Sequence, residues 1–108
     1  MLKSSTITKT RVGTALPVPT PGNILLEDFL KPFGQSQNQL AKAIGVSPPR
    51  INEIVLGKRA VTAETDLRLA RYYGISEGIF LSLQMDCELR IYRAKLAQQL
   101  GEIKPRAA

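Results

Sequence analysis

From Pro21 onward the apolar positions recur at intervals of three and four residues, punctuated by helix starters and breakers, which predicts five helices at about 22–31, 37–44, 48–56, 63–73 and 77–98. In the first, Leu25 with Phe29 and Leu26 with Leu30 pair four apart before Pro32 and Gly34 break the pattern. In the second, Ser36 and Gln39 have the spacing of a capping box, and Leu40, Ala41 and Ile44 form the inward stripe. Gly45 can take the left-handed conformation that ends this helix, with Val46 plugging the turn. Ser47 opens the third helix and Pro48 takes its first position, where a missing N–H is no loss; Ile51, Ile54 and Val55 point inward, and Gly57 closes it. Thr62 caps the fourth helix, which places Glu64 and Asp66 near the positive end of its dipole, Leu67 and Ala70 toward the core, Glu64 four residues from Arg68, and Tyr72 or Tyr73 over its end at Gly74. The fifth opens at Ser76 and meets no breaker before Gly101, with Gly78 weakening only its start; Ile79, Phe80 and Leu83 suit the core.

Two short helices joined by the tight Gly45–Val46 turn, the first with a small Ala41 at the crossing point, describe a helix-turn-helix. The outward side of its second helix carries Pro49, Arg50, Asn52 and Glu53, with Ser47 and Pro48 at its front and Lys58 and Arg59 at its exit, and Gln37 heads the preceding helix. Arginine and asparagine match guanine and adenine edges in a major groove, whereas residues at helix ends meet phosphates. These nine are the candidate DNA-contacting residues. The other reading is a helical hairpin with a solvated polar face.

A second apolar stripe, Met85, Leu89, Tyr92, Leu96 and Leu100, runs along the last helix, and a five-helix core has no evident need of it. It predicts either a dimerisation or partner surface, centred on Met85, Leu89, Tyr92 and Leu96, or a helix folded back on its own domain. The organisation expected is a flexible basic arm over residues 1–20, a DNA-binding domain over 21–84 and a helical extension with a tail over 85–108. The arm either touches phosphate or a protein partner, or is a solvated tail.

The length of 108 residues fits one domain, and 44% apolar with 6% aromatic content suits a small all-α core. The net charge of +6 favours a polyanionic partner, but its distribution matters more. Residues 21–85 are nearly neutral, with seven basic and six acidic side chains, yet Arg50, Lys58 and Arg59 gather around the third helix. A lone Cys87 and no histidine leave neither a disulfide nor the usual zinc set or general base, so metal, cofactor and enzyme readings are disfavoured, and Cys87 reads as a small buried hydrophobe. The N-terminus lacks a secretory apolar centre and no run is long enough to span a bilayer, from which a cytoplasmic protein is expected.

The segment 21–84 resembles the HigA-type (VapI-like) antitoxins of the XRE family, whose fold is lambda-repressor-like. The resemblance is carried by Pro21-Gly22 with Ile24-Leu25, by Phe29-Leu30-Lys31-Pro32, by Ser36-Gln37 through Gly45-Val46, by Arg50-Ile51-Asn52-Glu53-Ile54 with Gly57-Lys58-Arg59, by Thr62-Ala63 with Ala70-Arg71, and by Leu81, Leu83 and Gln84. Two positions depart from the family pattern: Ile79-Phe80 where an aromatic pair is usual, and Pro49 in place of a small polar residue or alanine. The resemblance implies a five-helix XRE domain with an extended C-terminal helix. It further implies a homodimer that binds a palindromic operator, represses its own operon and neutralises a HigB-type ribonuclease toxin. A stand-alone XRE repressor shares the fold and remains the alternative, to be separated by the neighbouring gene.

Overall fold

The computed structural model describes residues 19–107, so most of the expected N-terminal arm lies outside the described residues. Among them the chain is all-helical: α1 (Pro21–Ile24) running straight into a wide π-type turn over Leu25–Leu30, then α2 (Gln37–Ile44), α3 (Pro48–Val55), α4 (Ala63–Tyr73), α5 (Ile79–Lys95) and α6 (Ala97–Glu102). α1 begins where the sequence places it. Thr20 Oγ1 accepts from the Asn23 N–H at 3.0 Å, the Asn23 side chain accepts from the Thr20 N–H, and Pro21 takes the first helical position. The following turn bonds five residues back, as in Lys31 N–H to Leu26 O at 3.0 Å, which brings Leu25 and Leu30 together on the buried side and leaves Leu26 and Phe29 only partly covered.

α2 packs on α3, with α1 and α4 flanking the pair and α5 crossing α1 and α4. The core is Leu25, Leu30, Leu40, Ala41, Ile44, Ile51, Ile54, Val61, Leu69 and Phe80, all buried. α1 meets α3 at Gly22, where an added Cβ would fall 2.1 Å from the Ile54 carbonyl oxygen; only glycine allows this approach.

In α4 the inward positions are Thr65, Asp66, Leu69 and Ala70, with Leu67 exposed, so the expected inward role of Leu67 belongs to Leu69. The stripe includes a charged residue, which apolar spacing alone passes over. Asp66 is fully buried and does more than favour its own helix dipole: its carboxylate accepts from the backbone N–H groups of Gly78, Phe80 at 2.9 Å and Leu81 at 3.1 Å. It therefore caps α5 from a neighbouring element. This explains why α5 starts at Ile79 rather than at 77: Gly78, with φ 92°, turns the chain so that these donors converge on Asp66. Phe80 goes into the core beside Phe29, with centroids 5.5 Å apart, while Ile79, 37% exposed, is not part of the buried core, contrary to expectation.

Gln84 holds the α3–α4 loop. Its side-chain amide accepts from Val61 N–H at 2.6 Å and donates to Val61 O at 2.9 Å, replacing a backbone partner on both sides of one residue. Tyr73 stacks on Phe29 at 4.6 Å and donates to Gln35 Oε1, and Gln35 Nε2 in turn donates to the Tyr72 hydroxyl at 2.8 Å. Burial, with Tyr72 beside it, pushes the Tyr73 phenol up to about 12. Cys87 is buried, as its sequence context suggests. The single C-terminal helix expected through 98 is instead interrupted at Leu96 (φ −102°, ψ 12°), after which α6 continues and includes Gly101. No described helix is long and apolar enough to cross a membrane.

Candidate nucleic-acid interface

The α2–α3 pair is built by local chemistry that its sequence dictates. Gln39 N–H donates to Ser36 Oγ at 3.0 Å and Ser36 N–H to Gln39 Oε1 at 2.8 Å, which fixes the start of α2. Its end is closed twice. Gly45 takes φ 77°, with Val46 N–H returning to Ala41 O, and Arg68 reaches from α4 to donate through Nη1 to Ile44 O at 2.8 Å. The sequence offered no sign of this cation, since its partner lies 24 residues away.

α3 has an unusual N-terminus. Pro48 and Pro49 carry no N–H, and the next donor, that of Arg50, bonds the Ser47 carbonyl at 3.0 Å. Ser47 has the extended backbone of a cap but no side-chain cap bond, because no donor is left for its hydroxyl. Ser47, Pro48 and Pro49 are all exposed, so this end offers a hydroxyl and two rings rather than a row of amides.

Behind, Ile51 and Ile54 anchor α3 in the core. In front, Pro49, Asn52, Glu53 and Leu56 fall on one helical face. Asn52 is exposed, and its Nδ2 donates to Gln37 Oε1 at 3.1 Å, so the head of α2 orients an amide on α3. Leu56, 57% exposed, adds an apolar group to this face beyond the nine candidates; a thymine methyl is the matching base feature.

Arg50 is only partly exposed and leans toward α4, with Nη1 3.9 Å from Glu64 Oε2, a carboxylate held more closely by Arg68 at 3.1 Å in the expected pair. Arg59 folds back over α3 and bonds Glu53 Oε1 through Nε at 2.7 Å. Lys58 is exposed and makes none of the ion pairs found among the described residues. The candidates thus form three groups: Gln37 with Asn52, Glu53 with Arg59, and Ser47, Pro48 and Pro49 at the front, while Arg50 stands at the α4 edge. No group of three or more acidic or sulfur residues suited to a metal occurs among the described residues.

Met85, Leu89, Tyr92 and Leu96 are all exposed, the first three on α5 and Leu96 at the break before α6.

An all-helical domain with this capped pair is the architecture of a DNA-binding helix-turn-helix protein. Residues 26–80 match the family model described as helix-turn-helix, and the chain belongs to that family. Among the likenesses within it are the VapI-like, HigA-type proteins expected from the residues above. The chain is 49% identical over 76 residues to virulence-associated protein I of Dichelobacter nodosus, covering 70% of each chain. It is similar to the solved structure of the Pseudomonas aeruginosa antitoxin HigA with the higBA promoter (TM-score 0.77, 35% identity), covering 85% of this chain and all of that one. The antitoxin GraA in complex with its operator matches at a TM-score of 0.79 and 29% identity, over 91% of this chain and all of GraA.

Proposed function

We propose that this chain is the antitoxin of a HigBA-type toxin-antitoxin system, a cytoplasmic, non-enzymatic homodimer that binds a palindromic operator, represses its own operon and neutralises a ribonuclease toxin. The observation that carries the DNA-binding part is the α2–α3 pair, with the Gln37–Asn52 amide pair on its outer side and Lys58 and Arg59 at its exit. Likeness to proteins solved with a promoter and with an operator supports the same reading.

In the mechanism, Asn52 and Arg50 read base edges, with Leu56 and Pro49 filling apolar space, whereas Lys58, Arg59, Gln37 and Ser47 hold phosphates and set the register. Two half-sites require a two-fold protein. The unpartnered stripe Met85, Leu89, Tyr92 and Leu96 is the self-complementary patch that supplies it.

The test is fluorescence anisotropy on a duplex from the chain's own promoter and on a scrambled one. Arg50→Ala or Asn52→Ala costs about 1 to 3 kcal/mol per half-site on the first and little on the second. Lys58→Ala weakens both alike and flattens the salt slope by about 0.9. Equal losses on both duplexes for Asn52→Ala would show that α3 positions the protein without reading it. The toxin is tested separately, by co-purification with the product of the adjacent reading frame. Independent elution of the two leaves a stand-alone repressor.

A further inference from the structure

The pairing of Glu53 with Arg59 joins two residues that a DNA-facing helix has reason to keep apart. A carboxylate on that face is repelled by phosphate, and an arginine at the helix exit is drawn to it. The backbone brings them together: Gly57, at φ 77°, reverses the chain, and Lys58 N–H at 2.8 Å and Arg59 N–H at 3.2 Å both return to the Glu53 carbonyl. This sets the Arg59 side chain over its partner, Nε to Oε1 at 2.7 Å. Both side chains remain 41 to 48% exposed, so the pair is solvated, weak and readily exchanged. It is not needed as a strut, since the two backbone bonds already close the turn.

We propose that Glu53 is a specificity-determining residue that acts by withholding Arg59 from non-cognate DNA. The inference rests on α3 being the reading helix. When the protein meets DNA, a phosphate competes with Glu53 for Arg59. If Arg59 leaves, Glu53 faces a polyanion with no donor, unless a base edge supplies one; the cytosine amino group is the donor a major groove offers to a carboxylate. On a cognate site both groups are satisfied, Arg59 by phosphate and Glu53 by cytosine. On other sequences either Arg59 stays on Glu53 and one phosphate contact is lost, or Glu53 is left unpaired. Glu53 thereby lowers non-specific binding, the competitor that matters most for a repressor in a genome.

The experiment compares the full chain with Glu53→Gln, Arg59→Ala and the double variant by anisotropy, on the promoter and scrambled duplexes at several salt concentrations. Glutamine keeps the size of the side chain and the backbone turn, and circular dichroism verifies the fold. Expected for Glu53→Gln is tighter binding to the scrambled duplex, by about tenfold at 50 mM salt, with a slope steeper by about 0.9 from one further phosphate. Promoter binding gains less, so the specificity ratio falls. In the Arg59→Ala background the gain on scrambled DNA disappears. A Glu53→Gln variant that gains equally on both duplexes, or whose gain survives without Arg59, overturns the exchange, because only general repulsion was then removed. A wild-type chain that does not distinguish the duplexes overturns the reading of α3 itself and this inference with it.

Discussion

Replacing Asp66 by alanine tests whether the C-terminal helix is tied to the domain through one buried carboxylate. The side chain is 1% exposed and accepts three backbone N–H groups, those of Gly78, Phe80 and Leu81. Losing a helix cap costs about 0.5 to 2 kcal/mol. Phe80 N–H lies in the core, and stranding it adds about 1 to 3 kcal/mol. Gly78 and Leu81 are only partly buried, and water can reach their donors, so they add little. The sum is about 3 kcal/mol, a large share of the 5 to 15 kcal/mol typical of a domain, and corresponds to a melting point lower by about 12 to 24 °C. Asp66→Asn keeps one acceptor but turns an amide donor toward backbone donors, so it falls between wild type and Asp66→Ala. Differential scanning calorimetry at one fixed protein concentration reads both, since a dimer's midpoint shifts with concentration. A drop of less than about 4 °C for Asp66→Ala, under 1 kcal/mol on this scale, would show that water replaces the carboxylate and that α5 is held by apolar packing alone.

Three further outcomes follow from the same geometry. Gly22→Ala forces a Cβ to 2.1 Å from the Ile54 carbonyl oxygen and 2.9 Å from Val55 Cα, both backbone, so α1 must lift off α3; urea denaturation is expected to show a loss of about 3 kcal/mol, and an unchanged midpoint would mean that α1 is loosely seated. Leu89→Glu with Leu96→Glu changes only exposed side chains, so sedimentation should find a folded monomer with weak promoter binding; a persistent dimer moves the interface elsewhere, toward the end of α4. The Tyr73 phenol, raised from 10.0 to about 12 in the fold, keeps its contribution below pH 10 and loses it as pH rises through 12, because the unfolded chain releases the proton first. Tyr73→Phe should therefore flatten the alkaline fall in melting temperature, and an identical fall in both proteins would assign it to other groups.

What could be read from the sequence was whatever a residue and its near neighbours decide between them. The Ser36 and Gln39 cap, the Gly45 stop, Pro48 at the front of α3 and the span of α4 are of this kind, and each stands where the sequence puts it. Where the deciding partner is distant, the local pattern misleads. An aspartate in a first turn has the same spacing whether it favours its own helix or caps another, so Asp66 and Leu69 were legible only once α5 was in place. Arg50 likewise reads as outward until Glu64 appears beside it. Ser47 illustrates a local rule overridden by another: a serine before a helix normally caps it, but after Pro48 and Pro49 the first donor within its reach, Arg50 N–H, is taken by the Ser47 carbonyl. The break at Leu96 has no glycine or proline to announce it.

The placement of these groups separates stability from recognition. α3 is gripped from behind by Ile51 and Ile54 and closed at its exit by backbone bonds to the Glu53 carbonyl, neither of which involves the outer side chains. The outer contacts, Gln37 with Asn52 and Glu53 with Arg59, are solvated and weak, so breaking them on DNA draws little from the fold. Substitutions at Asn52, Glu53, Lys58 and Arg59 should thus shift binding while the melting point stays within the small range usual for surface changes. Arg68 is the exception among the nearby cations. It closes α2 through Ile44 O and also holds Glu64, the carboxylate nearest Arg50, so its removal frees Glu64 to draw Arg50 away from DNA while it opens the end of α2. Loss of binding in an Arg68 variant therefore reports the scaffold as well as the reading face, whereas variants at Asn52, Glu53, Lys58 and Arg59 leave the scaffold intact.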